Sequence, residues 1–291
     1  RGLGGMSYFR PLFWDTEIFR RPFFIYTQPE TARTMLKYRY RNLPGAREKA
    51  ATMGFKGALY PWESADKGVE TTPPYGYGPS GEQVPLLSGL MEHHISADVA
   101  WAVWEYWKAT GDDGFMAAMG VEMLLETARF WVSRAARDRE GRYHVNLVVG
   151  PDEYHEGVDD NAYTNVLARW NIERALEALT WLREFDPDHA QELTGRLELT
   201  AAELRRWPRV VDGYVTGFDP VTLLYEQFAG FYDMADVPIE KIRPRPMAAD
   251  LLLGREVTLV SKVVKQADVV MLCHVLADQI DEVTTRANYD Y

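Results

Sequence analysis

Residues 150–165 read Gly-Pro-Asp-Glu-Tyr-His-Glu-Gly-Val-Asp-Asp-Asn-Ala-Tyr-Thr-Asn. Asp152, Glu153, Glu156, Asp159 and Asp160 crowd this stretch, with Tyr154, His155, Asn161, Tyr163 and Asn165 among them. Pro151 fixes φ and interrupts a helix or a ladder, so the stretch opens as a loop. An acidic loop that only faced water would not need those aromatics and amides. A carbohydrate site needs all three: carboxyl groups to move protons, amides to meet hydroxyls, and flat rings to hold a sugar face. Glu153 is the candidate general acid, because cleaving a glycosidic bond requires a proton at the leaving oxygen. A carboxylic acid of raised pKa usually delivers it, and clustered carboxylates can supply the rise. A second reading stands beside this one. The acids could cap the helix that follows, since Asp159 and Asp160 are good N-cap residues. Calcium is a third, but the acids lack the alternating ligand pattern of a helix–loop–helix calcium site.

Three smaller clusters have similar chemistry. In Phe13-Trp14-Asp15-Thr16-Glu17, Asp15 could bind sugar hydroxyls with the Trp14 ring stacked alongside; the alternative is an N-cap Asp15 with Trp14 in the core. In Tyr60-Pro61-Trp62-Glu63-Ser64, an aromatic again adjoins a carboxylate, and the alternative is a loop anchor plus a surface acid. Lys265-Gln266 can donate several hydrogen bonds to hydroxyls, or can sit on a solvated helix face. His93 and His94 are adjacent and so point in different directions, which argues against a metal pair. No Gly-rich phosphate loop, Gly-x-Ser-x-Gly or nucleotide fingerprint is present, so hydride transfer and serine hydrolysis are disfavoured.

The elements that must position these residues are mostly helical. Helices are expected over 29–41, with Pro29 in the first turn, and over 45–53, ended by Gly54. The 96–109 stretch is apolar nearly all round and so should be buried, with Gly111 stopping it. Further helices are expected over 113–138, 161–183, 187–206 and 257–280, with 187–206 the more polar, outer one. The best strand signal is 143–149. The Pro/Gly-rich stretch 68–89 reads as a long loop, and Tyr75 and Tyr77 suggest a functional one. Alternation of buried and half-polar helices implies paired inner and outer layers, with the unusual residues on the loops between them.

Size and charge narrow the class. The 291 residues are 46% hydrophobic and 13% aromatic, enough for one large core or two small ones. A net charge of −11 argues against nucleic acid or an anionic membrane as partner. No run approaches the roughly 18–20 apolar residues of a membrane span. The single cysteine, Cys273, rules out an internal disulfide framework and a multi-cysteine zinc site, and fits a reducing, cytoplasmic compartment. The abrupt start, Arg-Gly-Leu-Gly-Gly, and the abrupt end at Tyr291 read as an internal segment of a longer protein.

Together the motifs resemble glycoside hydrolase family 65, the inverting disaccharide phosphorylases. The matching elements are Phe-Trp-Asp-Thr-Glu at 13–17, Tyr-Pro-Trp-Glu-Ser at 60–64, His-Ile-Ser-Ala-Asp at 94–98, Gly-Pro-Asp-Glu-Tyr with Asn-Ala-Tyr-Thr-Asn at 150–165, and Lys-Gln-Ala-Asp at 265–268. They occur in family order across essentially the whole chain, and Pro-Trp-Glu-Ser is typical of the kojibiose-cleaving members. The resemblance implies an all-α catalytic domain, an (α/α)6 barrel that is incomplete here, occupying 1–291 as one partial domain. The family's N-terminal β-sandwich and C-terminal segment would be absent.

By the same resemblance Glu153 would be the catalytic acid. Trp14, Asp15, Lys265 and Gln266 would hold the donor glucose, and Trp62 and Glu63 would face the acceptor sugar with Ser96 nearby. The implied reaction is inverting phosphorolysis of a kojibiose-like α-glucosyl disaccharide to β-glucose 1-phosphate and a free sugar. Phosphate stands where an inverting hydrolase holds its water. The implied partners are the disaccharide and inorganic phosphate as co-substrate, with no other cofactor and no metal. Homodimers are common in the family. The sequence departs from the family pattern at Arg10-Pro11, where Gly-His is usual, and at Ser96, where threonine is common. The family's phosphate loop falls after Tyr291. The alternatives are an inverting α-glucoside hydrolase of the same family, which the residues past Tyr291 would decide, and an inactive sugar-binding fragment.

Overall fold

The computed structural model describes residues 12–78, 81–243 and 247–291. The Arg10-Pro11 departure and the opening glycine-rich run lie outside them. The described chain is mostly helical, with four two-stranded antiparallel ribbons at the loops, consistent with part of an α/α barrel. Among the described residues no helix is long and apolar enough to cross a membrane.

Three long helices make the centre. Ile95–Thr110 is buried over most of its surface, as its composition demands, and Gly111 ends it in a left-handed conformation (φ 63°) with its N–H on the Trp107 carbonyl. Val121–Arg134 and Ala162–Phe185 pack against it and against each other. One apolar core runs through all three and takes in Trp131, Tyr163, Leu167 and Trp207. Pro187–Arg196 and Ala201–Gly213 lie outside Ala162–Phe185 and keep only one apolar stripe each, which gives the inner and outer layers.

The expected 29–41 helix is Pro29–Arg41, and 45–53 is Leu43–Thr52. Elsewhere long-range hydrogen bonds shorten or divide what periodicity alone would join. The 113–138 helix stops at Arg134, after a π-helical turn over Met116–Gly120, because Ala136–Arg137 pairs with Tyr143–His144. The 143–149 strand is reduced to that pair plus the bridge from Val148 to Val158. The 187–206 helix breaks at Glu198, which has φ 51°, and restarts where Thr200 caps the Glu203 N–H. The 257–280 helix is corrected most. Only Arg255–Thr258 and Asp268–Val275 are helical, and 259–267 is held open by Lys262 N–H on the Ala235 carbonyl and Lys265 N–H on Asp152 Oδ1. Lys265 and Gln266 therefore stand on a loop, and the solvated helix-face reading of them falls. The 68–89 loop holds a hairpin, Tyr75–Tyr77 with Gln83–Pro85. Tyr75 and Tyr77 are exposed there and pack edge to face on each other.

Candidate active site

The acidic loop is built by its own hydrogen bonds. Val148 and Val158 exchange both backbone bonds at 2.9 Å and close 149–157 into a compact excursion. The helix cap behind it is Asn161, whose side chain accepts the Thr164 N–H, not Asp159 or Asp160. Asp160 is buried and takes His144 Nδ1, the Val145 N–H and Asn165 Nδ2. Asp159 accepts the Leu147 N–H, and Glu156 pairs with Arg255. Asp152 is 2% exposed and accepts from Lys265 N–H, His155 Nδ1 and Gln227 Nε2, while its own N–H goes to Asp268. Burial and the neighbouring Asp152 charge push Asp268 well above the usual carboxylate range. Gly150 is required by crowding, since a Cβ there would sit 2.4 Å from both Asn161 Nδ2 and Asp268 Oδ2.

Four of the five acids are thus engaged in holding the loop. Glu153 is the one turned to a lysine: Lys265 Nζ lies 2.6 Å from its Oε2, and its side chain is 27% exposed. The two motifs, more than a hundred residues apart, meet because Asp152 clamps the Lys265 backbone next door. Gln266 follows, with a buried Oε1 that has no hydrogen-bond partner among the described residues.

A second corner forms from the first two aromatic clusters. Leu12–Phe13 pairs antiparallel with Glu63–Ser64, Phe13 opposite Glu63. This pairing sets Phe13 edge-on to Trp62 at 4.5 Å and brings Trp14–Asp15 beside Trp62–Glu63. Trp14 and Trp62 are 3% and 9% exposed, and each indole Nε1 lacks a hydrogen-bond partner among the described residues. Asp15 stands at the N-cap position of the π-helical turn Thr16–Arg20 without a capping side-chain hydrogen bond, and Trp14 belongs to the apolar core. Glu17, fully buried, holds Arg21 and Arg39 and ties this turn to Pro29–Arg41. Ser96 does not face open space. Its hydroxyl accepts the Tyr60 N–H and donates to the Ala58 carbonyl, which fastens the 58–62 segment to Ile95–Thr110.

Sequence reasoning missed two groups. Glu70 organises the Trp62 loop, accepting the N–H groups of Trp62, Glu63 and Thr72, the Thr72 hydroxyl and the Lys49 ammonium. Burial pushes its pKa up, but Lys49 and these donors outweigh burial and hold it below the usual value. Nothing in a Pro/Gly-rich loop marks it. The other is the buried row Glu92, His94, Asp98 and Tyr163. Tyr163 donates to Asp98, Asp98 accepts His94 Nδ1, and His94 Nε2 stands 3.4 Å from Glu92. His94 and Asp98 begin and end the His-Ile-Ser-Ala-Asp motif and Tyr163 lies in the acidic stretch, so their types are visible in the sequence; the spacing of four on one helix is the signal that joins the first two. The His94 ring also meets the edge of Trp14 at 5.0 Å, and the Glu153 charge acts on Glu92. This row joins the Trp14 corner to the acidic loop.

Comparison with known proteins gives the family of this chain. The profile of the glycosyl hydrolase family 65 central catalytic domain matches residues 1–291. Kojibiose phosphorylase of Caldanaerobacter subterraneus subsp. tengcongensis is 48% identical over all of this chain, which covers 38% of that protein. The 1,2-alpha-glucosylglycerol phosphorylase of Bacillus selenitireducens is 38% identical over all of this chain and 39% of its own length. A solved structure provisionally named kojibiose phosphorylase, from the human microbiome, superposes with a TM-score of 0.87 at 26% identity, covering 99% of this chain and 36% of that one. The chain therefore spans less than half the length of the proteins it resembles.

Proposed function

The chain belongs to glycosyl hydrolase family 65, through that family's central catalytic domain, and from that premise we propose that it carries the sugar-binding and proton-donating part of an inverting disaccharide phosphorylase. The substrate we assign is an α-1,2-linked glucobiose, as in the kojibiose phosphorylases it is similar to. The observation that carries the reading is the Glu153–Lys265 pair on the acidic loop, together with two buried tryptophans whose N–H groups have no hydrogen-bond partner among the described residues. Such a set offers the carboxyl, cation, amides and aromatic faces that a sugar pocket needs.

On this reading Trp14, Asp15, Lys265 and Gln266 hold the donor glucose, and Trp62 and Glu63 hold the acceptor. Ser96 acts through the 58–62 segment that it fastens. Phosphate attacks the anomeric carbon from the face opposite the leaving sugar. The bond to the bridging oxygen breaks as Glu153 gives that oxygen its proton, and solvent returns a proton to Glu153 afterwards. The products are β-glucose 1-phosphate and free sugar, with no metal or organic cofactor taking part. The phosphate-holding residues belong, on this reading, to segments outside these 291 residues.

The test is to incubate the full-length form of the protein with α-1,2-, α-1,4- and α,α-1,1-linked glucobioses, with and without phosphate. Expected is phosphate-dependent consumption of the α-1,2 sugar and appearance of β-glucose 1-phosphate. Glucose release that ignores phosphate would replace phosphorolysis by hydrolysis. A second expectation concerns Glu70. Glu70→Gln removes the charge that gathers three N–H groups behind Trp62 and Glu63. Hydrogen bonds to a charged group contribute about 1.5–3 kcal/mol each, so KM for the acceptor, read in the synthetic direction, should rise by about tenfold or more. The donor KM should move less. An unchanged acceptor KM would separate Glu70 from the acceptor site.

A further inference from the structure

Buried polar side chains almost always have partners. Both carboxylate oxygens of Glu92 and Nε2 of His94 lack a hydrogen-bond partner among the described residues, although these residues are 1% and 0% exposed. They stand 3.4 Å apart, close enough to pair electrostatically. Their orientation is not accidental. Tyr163 donates to Asp98 at 2.8 Å and Asp98 accepts His94 Nδ1 at 2.7 Å, so the ring is fixed with Nε2 turned to Glu92. Burial works against a charged ring, but Asp98 and Glu92 outweigh it and push His94 up to about 10, so Nε2 carries a proton. Burial likewise pushes Glu92 up to about 7, against the pull of His94.

The place of the pair matters as much. The His94 ring meets the edge of Trp14. The Met91 carbonyl accepts the Val149 N–H at 3.1 Å, which lays the segment before Glu92 against the strand leading into Gly150–Glu153. A proton-bearing nitrogen and a carboxyl 3.4 Å apart, each with unmet hydrogen-bonding capacity, are what a hydroxyl satisfies, since it accepts from one and donates to the other. A cation does not suit a protonated imidazole, and no group of three His, Cys, Asp or Glu fit for a metal occurs among the described residues.

We propose that Glu92 and His94 form a sugar-hydroxyl clamp in the donor pocket: one hydroxyl of the glucosyl ring held beside Trp14 donates to the Glu92 carboxyl and accepts from His94 Nε2. This rests on the sugar-binding reading above, and it adds two substrate contacts to it. The experiment measures calorimetric binding of glucose and of its 2-, 3-, 4- and 6-deoxy forms to the full-length protein and to Glu92→Gln and Glu92→Ala. Thermal melts run alongside, and Glu92→Gln preserves shape where alanine disturbs packing. Glucose should bind about 10- to 100-fold more weakly to both variants, the range for a hydrogen bond to a charged group. One deoxyglucose should bind wild type and variants alike, because it lacks the clamped hydroxyl. Equal loss across all deoxy sugars would make Glu92 a structural residue and overturn the clamp, as would unchanged glucose affinity. The phosphate-dependent turnover of the α-1,2 sugar is scored separately in wild type, so glucose binding without turnover would sink the phosphorylase reading while leaving the clamp standing.

Discussion

Glu153→Gln should lower turnover of the α-1,2-linked glucobiose by about two to four orders of magnitude, the usual contribution of a positioned proton donor. The change keeps the side chain's size and leaves Lys265 a carbonyl oxygen to meet, so glucose affinity should stay within a few-fold. What it removes is the transferable proton. Substrates that leave without help discriminate this from a general disturbance of the loop. With α-glucosyl fluoride and phosphate, where fluoride departs without protonation, the variant should lose far less than with the disaccharide. Equal losses on both substrates would take the proton-donor role away from Glu153. A drop of less than tenfold on the disaccharide would do the same. The loop itself gives the reason to single out this acid: Asp152, Glu156, Asp159 and Asp160 are all engaged with protein donors that hold the turn, whereas Glu153 is set against Lys265.

How far the sequence could be read follows from where the forces act. Ile95–Thr110 was legible because burial on all sides leaves a compositional trace, and Gly111 marks its end locally. Pro29 and the Asn-rich start of Ala162–Phe185 were legible for similar reasons, although the capping duty falls to Asn161 and not to its acidic neighbours. The break across 259–267 was not legible, because it depends on Ala235 and Asp152, which lie far off in the chain. Apolar periodicity records a buried face and says nothing of a backbone N–H captured by a distant carboxylate. The same limit hid Glu70, whose partners Lys49, Trp62 and Glu63 assemble only in three dimensions. The motif residues were found through their types, yet their meeting was not. Phe13 against Trp62, and Lys265 against Glu153, are products of a two-residue ribbon and of one clamped aspartate.

Glu17→Gln should cost the folded protein about 3–5 kcal/mol, the range for removing one member of a buried ion group. Glu17 is 0% exposed; Oε1 accepts from Arg21 Nη2 at 2.8 Å and Arg39 Nε at 2.9 Å, and Oε2 from Arg39 Nη2 at 2.8 Å. Arg21 is fully buried too, with Nε and Nη1 already lacking a described partner. Without the carboxylate, two guanidiniums would stay in the core with no opposite charge between them. Burial alone would push the Glu17 pKa up, but Arg39 and Arg21 outweigh it and hold it below the ordinary value of 4.5. A carboxyl with a lower pKa folded than unfolded contributes stability that is complete above the unfolded value and fades as pH falls through the folded one. Urea unfolding should therefore show a large deficit in the variant at pH 7, shrinking once the pH drops well below 4.5. A deficit under 1 kcal/mol at pH 7, or one indifferent to acid, would mean the cluster contributes little net stability. The cluster bears on the site because Glu17 lies three residues from Trp14 and anchors the turn that follows Asp15 to the Pro29–Arg41 helix. At temperatures where the variant still folds, its glucose affinity should fall with the loosening of that turn, while the Glu153–Lys265 side of the pocket stays in place.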